Sequence, residues 1–438
     1  MSSIARTIAC QSLIKWAELN NDPHQIIISH INNSVKPEDA AFARELFFGT
    51  IKLKRKIDYC YSPYVTSKDV ELKLKQVLRL GFYQLIQTAN IPEYAVVSET
   101  VDLARQLCSS KQTGFVNAVM RNYLRQPDRI KLPDIENDPV KYLGIEYSYP
   151  DWLVKRYLNR FGLDRTIEIL KWGNTPPDFF FFINKYFESG NCIEDDLKQL
   201  GIHFQRFEPF EGYYRCLNPQ ILLRSKLFHE GAVIVGDPGQ SIAVAAMAAP
   251  EGEAVLDLFA APGGKTASLA GMVGGKGRVY AVDISLKRLR ILKQNINRWR
   301  LNNVFIFCSD ILKFASGRKF KYILADVPCG GTGTIRRNPD LRWNLKERDI
   351  YRHSEKQLLF IKEAASMLKP GGKLVYSTCS MEPEENGYII DTFLKQNDGY
   401  GLQSLDGFRD FKTPGGMYEA MPFQYQTDGA FVAVIEKG

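Results

Sequence analysis

The sequence predicts a multidomain protein with an all-α N-terminal domain, a small α+β connecting domain and a C-terminal α/β domain. Three observations predict this organisation. The chain has 438 residues, which is long for a single hydrophobic core. Roughly the first 135 residues carry apolar side chains at helical spacing, whereas strand-like apolar runs alternate with helical patterns from about Gly231 onward. We therefore expect domains over 1–138, 139–230 and 231–438, the last built on a doubly wound parallel sheet.

Composition and charge narrow the class of protein. Hydrophobic residues make up 45% of the chain and charged residues 24%, with a net charge of +8. These values are typical of a globular protein and are compatible with a polyanionic partner. Apolar runs of about 18 residues and a secretion-type N-terminus are both absent, so we expect a cytoplasmic protein without a membrane span. The 8 cysteines are scattered singly, which predicts free thiols and no metal site.

The N-terminal helices are predicted from their start signals and apolar spacing. Pro37 followed by Glu38 and Asp39 begins one helix, whose end is basic at 52–56. Those cations suit a helix C-terminus or a phosphate-binding patch, and the sequence leaves both interpretations open. The segments Arg44–Gly49, Leu78–Leu85 and Phe115–Arg121 resemble the all-helical NusB-like RNA-binding domain. The resemblance implies that this domain binds RNA.

A proline-rich linker precedes the connecting domain, with Pro127, Pro133 and Pro139. Beyond it, the pattern predicts a strand at Phe179–Ile183, a helix at Ile193–Leu200, and short strands at Tyr213–Leu217 and Ile221–Leu223. Pro150 to Val154, Asn174, Pro176, Pro177 and Asn184 resemble the connecting module that precedes the catalytic part of RNA cytosine methyltransferases. Phe182 stands where that family usually has an Arg thought to grip RNA.

The C-terminal domain presents aspartates at the ends of four successive predicted strands, namely Asp257, Asp283, Asp310 and Asp326. The first strand leads into a glycine turn at Gly263 and Gly264, where backbone can approach a ligand closely. Asp283 lies 20 residues beyond Gly263 (283 − 263), the spacing at which an acid meets a ribose hydroxyl in Rossmann-type folds. Neither the dinucleotide glycine pattern nor a P-loop is present, so the pattern favours an adenosine-type ligand.

Two cysteines follow strand ends in this domain. Cys329 lies in Asp326-Val327-Pro328-Cys329-Gly330-Gly331-Thr332-Gly333, and Cys379 lies in Ser377-Thr378-Cys379-Ser380 after the buried run 374–376. Taken alone, each thiol is either a small buried side chain or a nucleophile placed where α/β sheets collect ligands. With the aspartate-tipped strands beside them, we interpret them as reactive thiols.

These motifs resemble the S-adenosylmethionine-dependent RNA cytosine-5 methyltransferases. The match extends through Ile335–Asp340, Lys369–Gly372 and Pro383–Asn386, and closes with Asp428-Gly429; Gly330-Gly331 and Ala430 are small departures. Together with the NusB-like segments, the chain resembles the bacterial 16S ribosomal RNA cytosine-5 methyltransferases of the Sun or Fmu family, the small subunit methyltransferase B type. The resemblance implies S-adenosylmethionine as methyl donor, S-adenosylhomocysteine as product and no metal. It also implies 16S ribosomal RNA not yet assembled into a subunit as the partner, and a monomer.

A cysteine pair suits this chemistry, because a thiolate that adds to carbon 6 of cytosine makes carbon 5 nucleophilic. The residues alone leave open which cysteine attacks. The resemblance implies that Cys379 attacks, that Cys329 assists release, that Asp326 hydrogen-bonds the base and that Lys265 orients Asp326 or contacts the substrate. Around the cofactor it implies the following residues: Phe259, Ala260, Ala261, Pro262, Gly263, Gly264, Lys265, Asp283, Arg288, Asp310 and Asp326.

Two alternative functions remain open from the sequence alone. A transfer RNA cytosine-5 methyltransferase shares the catalytic motifs, although the NusB-like segments favour ribosomal RNA. A non-catalytic RNA-binding or antitermination factor would need neither Cys329 nor Cys379. The basic side chains of Arg336, Arg337 and Arg342 indicate either a solvated loop or contacts to a displaced RNA backbone.

Overall fold

The chain folds into two compact units in a computed structural model. The structure describes residues 3–19, 21–32, 34–65, 70–88, 91–187, 192–314, 317–405 and 409–438. The first unit comprises Met1–Asn174 with Asn338–Asn344, and the second comprises Thr175–Arg337 with Leu345–Gly438. The three predicted domains, 1–138, 139–230 and 231–438, stay a prediction.

The first unit is helical in its described residues. Its helices are α1 (Ile4–Leu19), α2 (Pro23–His30), α3 (Pro37–Lys52), α4 (Lys54–Tyr61), α5 (Leu72–Gln87), α6 (Glu93–Leu107), α7 (Ser110–Arg125), α8 (Pro139–Glu146), α9 (Asp151–Trp172) and α16 (Leu341–Asn344). Local signals account for several boundaries: Pro37 begins α3, and Ser109 and Gln112 form a capping box at the start of α7. Gly162 (φ 74°) breaks α9 into two straight parts. The core includes the fully buried Leu46, Phe47 and Phe82.

The second unit contains two sheets. The smaller has four antiparallel strands in the order β2-β3-β1-β4, where β1 is Phe179–Ile183, β2 is Phe204–Arg206, β3 is Tyr213–Cys216 and β4 is Val233–Val235. Around it lie α10 (Ile193–Gln199), α11 (Pro219–Arg224) and α12 (Lys226–His229), whereas α13 (Ser241–Met247) packs against the larger sheet. The predicted strands at 179–183 and 213–217 are present. The predicted strand at 221–223 is wrong: Pro219 begins a helix there, and three apolar residues are too few to separate the two periodicities.

The larger sheet carries the α/β domain and confirms the predicted fold class. Its strands are β5 (Ala254–Leu258), β6 (Arg278–Asp283), β7 (Val304–Cys308), β8 (Phe320–Asp326), β9 (Leu368–Thr378), β10 (Tyr400–Leu402), β11 (Tyr418–Ala420) and β12 (Ala430–Lys437). Its helices are α14 (Gly264–Val273), α15 (Leu286–Arg298), α17 (Glu347–Ser366), α18 (Gly387–Lys395) and α19 (Pro422–Tyr425). The strand order is β10-β12-β9-β8-β5-β6-β7, with β11 paired to β12.

Strands β5 to β9 are parallel to their neighbours, whereas β12 runs antiparallel to β9. Successive residues of β5 enter opposite cores: Val255 packs on one face of the sheet and Leu256 on the other. Both faces are therefore covered, which explains why the parallel strands are continuous apolar runs in the sequence. Among the described residues, none of the helices combines the length and the apolar composition that a bilayer span needs.

Candidate active site

Parallel pairing brings the predicted site residues to one edge of the larger sheet. Leu258, at the end of β5, pairs with Val282 of β6 and with Ala325 of β8, so the residues that follow these strands share one edge. Asp326 pairs with Ser377 of β9 in the same way. The loops that carry Cys329 and Cys379 therefore begin side by side, although 50 residues separate the two thiols.

The two thiols are in contact. Cys329 Sγ lies 3.3 Å from Cys379 Sγ, within the range of a sulfur hydrogen bond. Both thiols line a cavity of about 200 Å³, whose wall also includes Phe259, Lys265 and Arg288. A pair of thiols at this distance can share one proton, because either sulfur can donate to the other.

Backbone contacts fix the two cysteine loops against each other. Gly333 N donates to Cys379 O at 3.0 Å, and Val327 N donates to Ser377 O at 3.0 Å. A Cβ at Gly333 would lie 2.7 Å from Cys379 O and 2.7 Å from Gly429 Cα, so the close approach requires glycine. The separation of the two sulfurs is thus set by main chain and not by mobile side chains.

A buried ion pair stands beside the thiols. Lys265 Nζ, in the first turn of α14, lies 2.8 Å from Asp326 Oδ2 at the end of β8. Ser377 Oγ donates to the other carboxylate oxygen, Asp326 Oδ1, at 2.8 Å. Burial lowers the pKa of Lys265, but the charge and hydrogen bond of Asp326, with the charges of Cys379 and Asp257, outweigh it and raise that pKa overall. Lys265 therefore stays a cation next to the cavity.

The surroundings of Cys329 favour its thiol form. Its hydrogen bond with Cys379, then its burial, then the negative charges of Cys379 and Glu385 raise the pKa of Cys329 well above its usual range. Much of this effect comes from Cys379 itself. Cys329 thus becomes easier to ionise once Cys379 no longer carries a charge or accepts a hydrogen bond.

The loop after β5 has the character of a ligand cradle. Phe259 (φ 63°) and Gly263 (φ 111°) take left-handed backbone conformations, and Gly264 begins α14. A Cβ at Gly264 would meet nothing within 4 Å, so the space in front of this turn is open. The chain passes from Ala260 through Ala261 and Pro262, and its helix N–H groups face that space.

Acids also stand at the ends of the next two strands at this edge of the sheet, and Asp283 contacts the loop directly. Asp283 Oδ2 accepts from Ala261 N at 3.3 Å and pairs with Arg288, while Asp283 Oδ1 accepts from Ser285 N at 2.9 Å. Asp310 follows β7, and its carboxylate accepts from Leu312 N at 3.1 Å. A carboxylate has more acceptor sites than these contacts use. An adenosine-containing ligand fits this arrangement of two carboxylate acceptors, an open glycine turn and the Phe259 ring.

The predicted site residues therefore fall into two groups. Phe259, Lys265, Arg288, Asp326, Cys329 and Cys379 line the same cavity. The other predicted residues, Ala260 to Gly264, Asp283 and Asp310, lie at the same sheet edge but not in the cavity wall. Among the described residues, no cluster of three or more His, Cys, Asp or Glu could hold a metal ion.

Sequence reasoning missed part of the cavity wall. Gly239 and Gln240, just before α13, and Phe431 and Val432, in β12, line it as well. They are distant in sequence and carry no chemical spacing signal, so only the tertiary fold reveals them. Ser377 belongs to the cysteine motif, but the motif does not predict its hydrogen bond to Asp326.

The three arginines considered as RNA contacts have protein partners. Arg337 Nη2 lies 2.7 Å from Asp237 Oδ2, and Arg337 Nε lies 3.0 Å from Asp428. Arg336 is 2% exposed and donates to Gln426 O at 2.8 Å. Arg342 is 1% exposed. These contacts favour a structural role over the hypothesised contact with RNA.

Comparison with known proteins defines the class. The family model described as 16S rRNA methyltransferase RsmB/F matches residues 244–436, and the NusB family model matches residues 3–125. The crystal structure of PH0851 is similar over 100% of this chain and 99% of its own, with a TM-score of 0.83 and 25% identity. A methyltransferase homologue from Pyrococcus horikoshii covers 68% of this chain and 99% of its own, with a TM-score of 0.60 and 29% identity. The fold and the matched family models are those of an S-adenosylmethionine-dependent RNA methyltransferase, with a NusB-type helical domain.

Curated relatives narrow the class to one family. The ribosomal RNA small subunit methyltransferase B of Proteus mirabilis (strain HI4320) is 30% identical over 100% of this chain and 98% of its own length. The probable ribosomal RNA small subunit methyltransferase B of Bacillus subtilis (strain 168) is 29% identical over 99% of this chain and 98% of its own. The chain belongs to the ribosomal RNA small subunit methyltransferase B family.

Proposed function

We propose that this protein methylates carbon 5 of a cytidine in 16S ribosomal RNA through a covalent adduct between a cysteine and carbon 6 of the base. The observation that carries the proposal is the contact of Cys329 and Cys379, 3.3 Å apart in one cavity with the Lys265–Asp326 pair. A methyltransferase acting on a nucleophilic nitrogen or oxygen needs no thiol. Two thiols at one site are explained if the methyl acceptor is carbon 5 of cytosine, because this carbon becomes nucleophilic only after a thiolate has added to the ring.

The attacking sulfur is Cys379. Its lone pair forms a bond to carbon 6, and the electrons of the C5=C6 double bond make carbon 5 nucleophilic. Lys265 lines the same cavity, and its ammonium group interacts favourably with negative charge on the Cys379 sulfur. The 259–264 loop, with Asp283, Arg288 and Asp310, would hold S-adenosylmethionine, which would supply the electrophilic methyl group.

Asp326 holds the base during addition. Its carboxylate is fixed by Lys265 on one oxygen and by Ser377 on the other, so its direction is set before substrate binds. On addition, nitrogen 3 of the cytosine takes a proton from solvent, which balances the electron density gained by the ring, and Asp326 accepts a hydrogen bond from this N–H group. The proton returns to solvent when the thiolate leaves. Lys265 orients this carboxylate.

Cys329 assists release. When Cys379 is bound to carbon 6, the hydrogen bond and the charge that raise the pKa of Cys329 are gone, and Cys329 gives up its proton to solvent more easily. Its sulfur then accepts the proton of carbon 5. The electrons of that C–H bond restore the double bond, and the C6–S bond breaks with its electron pair returning to Cys379.

The substrate follows from the family and from the cavity. A base inside a helix cannot reach a cavity of about 200 Å³ and must turn out of its stack. The substrate in this proposal is 16S ribosomal RNA that is not yet assembled into the ribosome. The NusB-type helices bind part of this RNA, and the enzyme acts as a monomer in the cytoplasm. Transfer RNA is the alternative substrate within the same chemistry.

Two cysteine variants test the mechanism. Cys379→Ala is expected to lose methyl transfer by at least a thousandfold while still binding S-adenosylmethionine. Cys329→Ala is expected to accumulate an RNA adduct, seen as a shifted band that survives denaturation. Residual turnover by Cys379→Ala near the parent rate would overturn the assignment. Bisulfite sequencing of ribosomal and transfer RNA from a strain lacking the protein decides between the two substrates.

A further inference from the structure

Glu385 lies directly behind the Cys329 loop. Its side chain is fully buried, and its Oε1 accepts from Gly330 N at 2.7 Å. Gln357 Nε2 donates to Pro328 O at 2.9 Å and to the same Oε1 at 3.3 Å. Gly330 is thereby hydrogen-bonded directly to the Glu385 carboxylate, and Pro328 is linked to it through Gln357.

Little neutralises this carboxylate. Within the described chain, its one ion-pair partner is His353 of α17, whose Nδ1 lies 3.2 Å from Oε1. Tyr376 of β9 donates its hydroxyl to the main-chain oxygen of Glu385 at 2.7 Å and not to the carboxylate. Oε2 is buried without a hydrogen-bond partner, and a Cβ at Gly330 would lie 3.1 Å from it. This oxygen therefore lies against the Cys329 loop without a hydrogen bond to offset its desolvation.

The two thiols therefore have opposite neighbours. The Glu385 carboxylate acts on Cys329, and its charge is among the causes that raise the pKa of that thiol. Lys265, paired with Asp326, lines the same cavity as the thiols, and the charge of Cys379 is among the causes that raise the pKa of Lys265. The two thiols are chemically identical and lie 3.3 Å apart, but the charged groups that act on them have opposite signs.

We propose that Glu385 is a positioning residue that keeps the proton shared by the two thiols on Cys329, so that Cys379 is the anion. One proton leaves the pair for solvent, and its electron pair stays on Cys379 Sγ. The remaining proton sits on Cys329 Sγ and donates a hydrogen bond to Cys379 Sγ. This inference rests on the proposed function and adds to it the reason why one of two adjacent thiols attacks.

The experiment measures the thiols without RNA. The full-length protein is treated with substoichiometric iodoacetamide between pH 6 and 9, and alkylation of each cysteine is followed by peptide mass spectrometry. In the parent protein, Cys379 is expected to react first and at lower pH than Cys329. Faster reaction of Cys329 in the parent would overturn the proposal whatever any variant does.

Glu385→Gln keeps the shape and removes the charge. It is expected to lower the ratio of Cys379 to Cys329 alkylation by about tenfold, the effect of one pKa unit. Glu355→Gln, an exposed position on the same helix as His353, is the matched control and should leave the ratio unchanged. An unchanged ratio in a folded Glu385→Gln protein would refute the role.

Activity gives a second readout. Glu385→Gln is expected to lower kcat about tenfold with little change in KM for RNA, because the base-binding groups are untouched. A rise in KM alone would indicate a merely structural role and count against the proposal. Since alkylation needs no turnover, failure of this inference is distinguishable from failure of the proposed methylation, which the Cys379→Ala variant tests.

Discussion

Lys265 donates to Asp326 across 2.8 Å, and this contact joins the first turn of α14 to the end of β8. The two residues are 61 positions apart in the chain. They meet because β5 and β8 are parallel neighbours, so the helix that follows β5 starts beside the loop that follows β8. The fold itself therefore places a cation against the carboxylate proposed to hold the base.

Replacing Lys265 by methionine tests this pair. Asp326 would keep its bond from Ser377 but lose its charged partner, and its side chain is only 31% exposed. We expect a loss of roughly 1–3 kcal/mol in the free energy of unfolding, below the value for a fully buried pair. We expect methyl transfer to fall at least a hundredfold. Urea unfolding and a methylation assay measure both, with the exposed Lys276→Met as control. Wild-type turnover in the variant would remove Lys265 from the mechanism.

Arg337→Met separates a structural arginine from an RNA contact. Arg337 lies between Asp237 and Asp428, which are 6% and 4% exposed, and its loss leaves both carboxylates unpaired. We expect the free energy of unfolding to fall by roughly 3–5 kcal/mol.

The loss of unfolding free energy in the Arg337→Met variant should also depend on pH. Burial, followed by repulsion from Asp237, raises the pKa of Asp428 to about 7 even with Arg337 present. Because a raised acid pKa favours the folded state below that pH, the loss in the Arg337→Met variant should shrink at pH 5 and be largest at pH 8. Exposed Arg348→Met is the control. Weaker RNA binding with unchanged stability would restore the hypothesis of an RNA contact.

The sequence predicted the fold class and the sheet edge at which the candidate site lies, because both depend on local pattern. The strands β5 to β8 carry continuous apolar runs, and each has an aspartate within two residues of its carboxyl end, so the parallel sheet and its ligand edge follow directly. By contrast, the antiparallel strands β10 to β12 do not show this regular pattern, so the sequence does not predict them. Gln240, which lines the cavity, and the burial of Arg342 depend on tertiary contacts over long sequence distances.

Arg342→Met is expected to destabilise the helical unit. The guanidinium group donates to the main-chain oxygens of Ser148 and Gly173 at 3.2 and 3.1 Å and to Asn174 Oδ1 at 2.9 Å. It also lies 4.0 Å from the centre of the Tyr149 ring. Methionine fills part of the space but leaves buried acceptors unpaired, each at a cost of about 1–3 kcal/mol.

Thermal unfolding measures this effect, with the exposed Arg290→Met as control. Arg342→Lys should recover only part of the stability, because one ammonium group cannot reach acceptors on several sides. Equal midpoints for the parent and Arg342→Met would show that these hydrogen bonds contribute nothing net.

Asp257→Asn should change how stability depends on pH. Asp257 is 1% exposed, and its Oδ2 accepts from Thr266 Oγ1 at 2.6 Å. Burial raises the pKa of Asp257 to about 7, with the charges of Asp326 and Asp283 adding to the effect and Thr266 and Lys265 opposing it. In the unfolded chain the pKa of this carboxyl is about 3.9. The folded state therefore binds the proton more tightly, and the stability that this group contributes is lost as pH rises from about 4 through about 7.

As pH rises, the stability lost through Asp257 amounts to roughly 4 kcal/mol at most, because its pKa differs by about three units between the folded and unfolded states. Asparagine is neutral at every pH, and its amide oxygen can still accept from Thr266. We therefore expect Asp257→Asn to exceed the parent in free energy of unfolding above pH 7, and the difference to close toward pH 5. Urea unfolding at pH 5, 6, 7 and 8 measures the difference, and groups such as Asp428 cancel because both proteins contain them. Parallel curves for the two proteins would show that Asp257 is ionised in the folded state throughout this range.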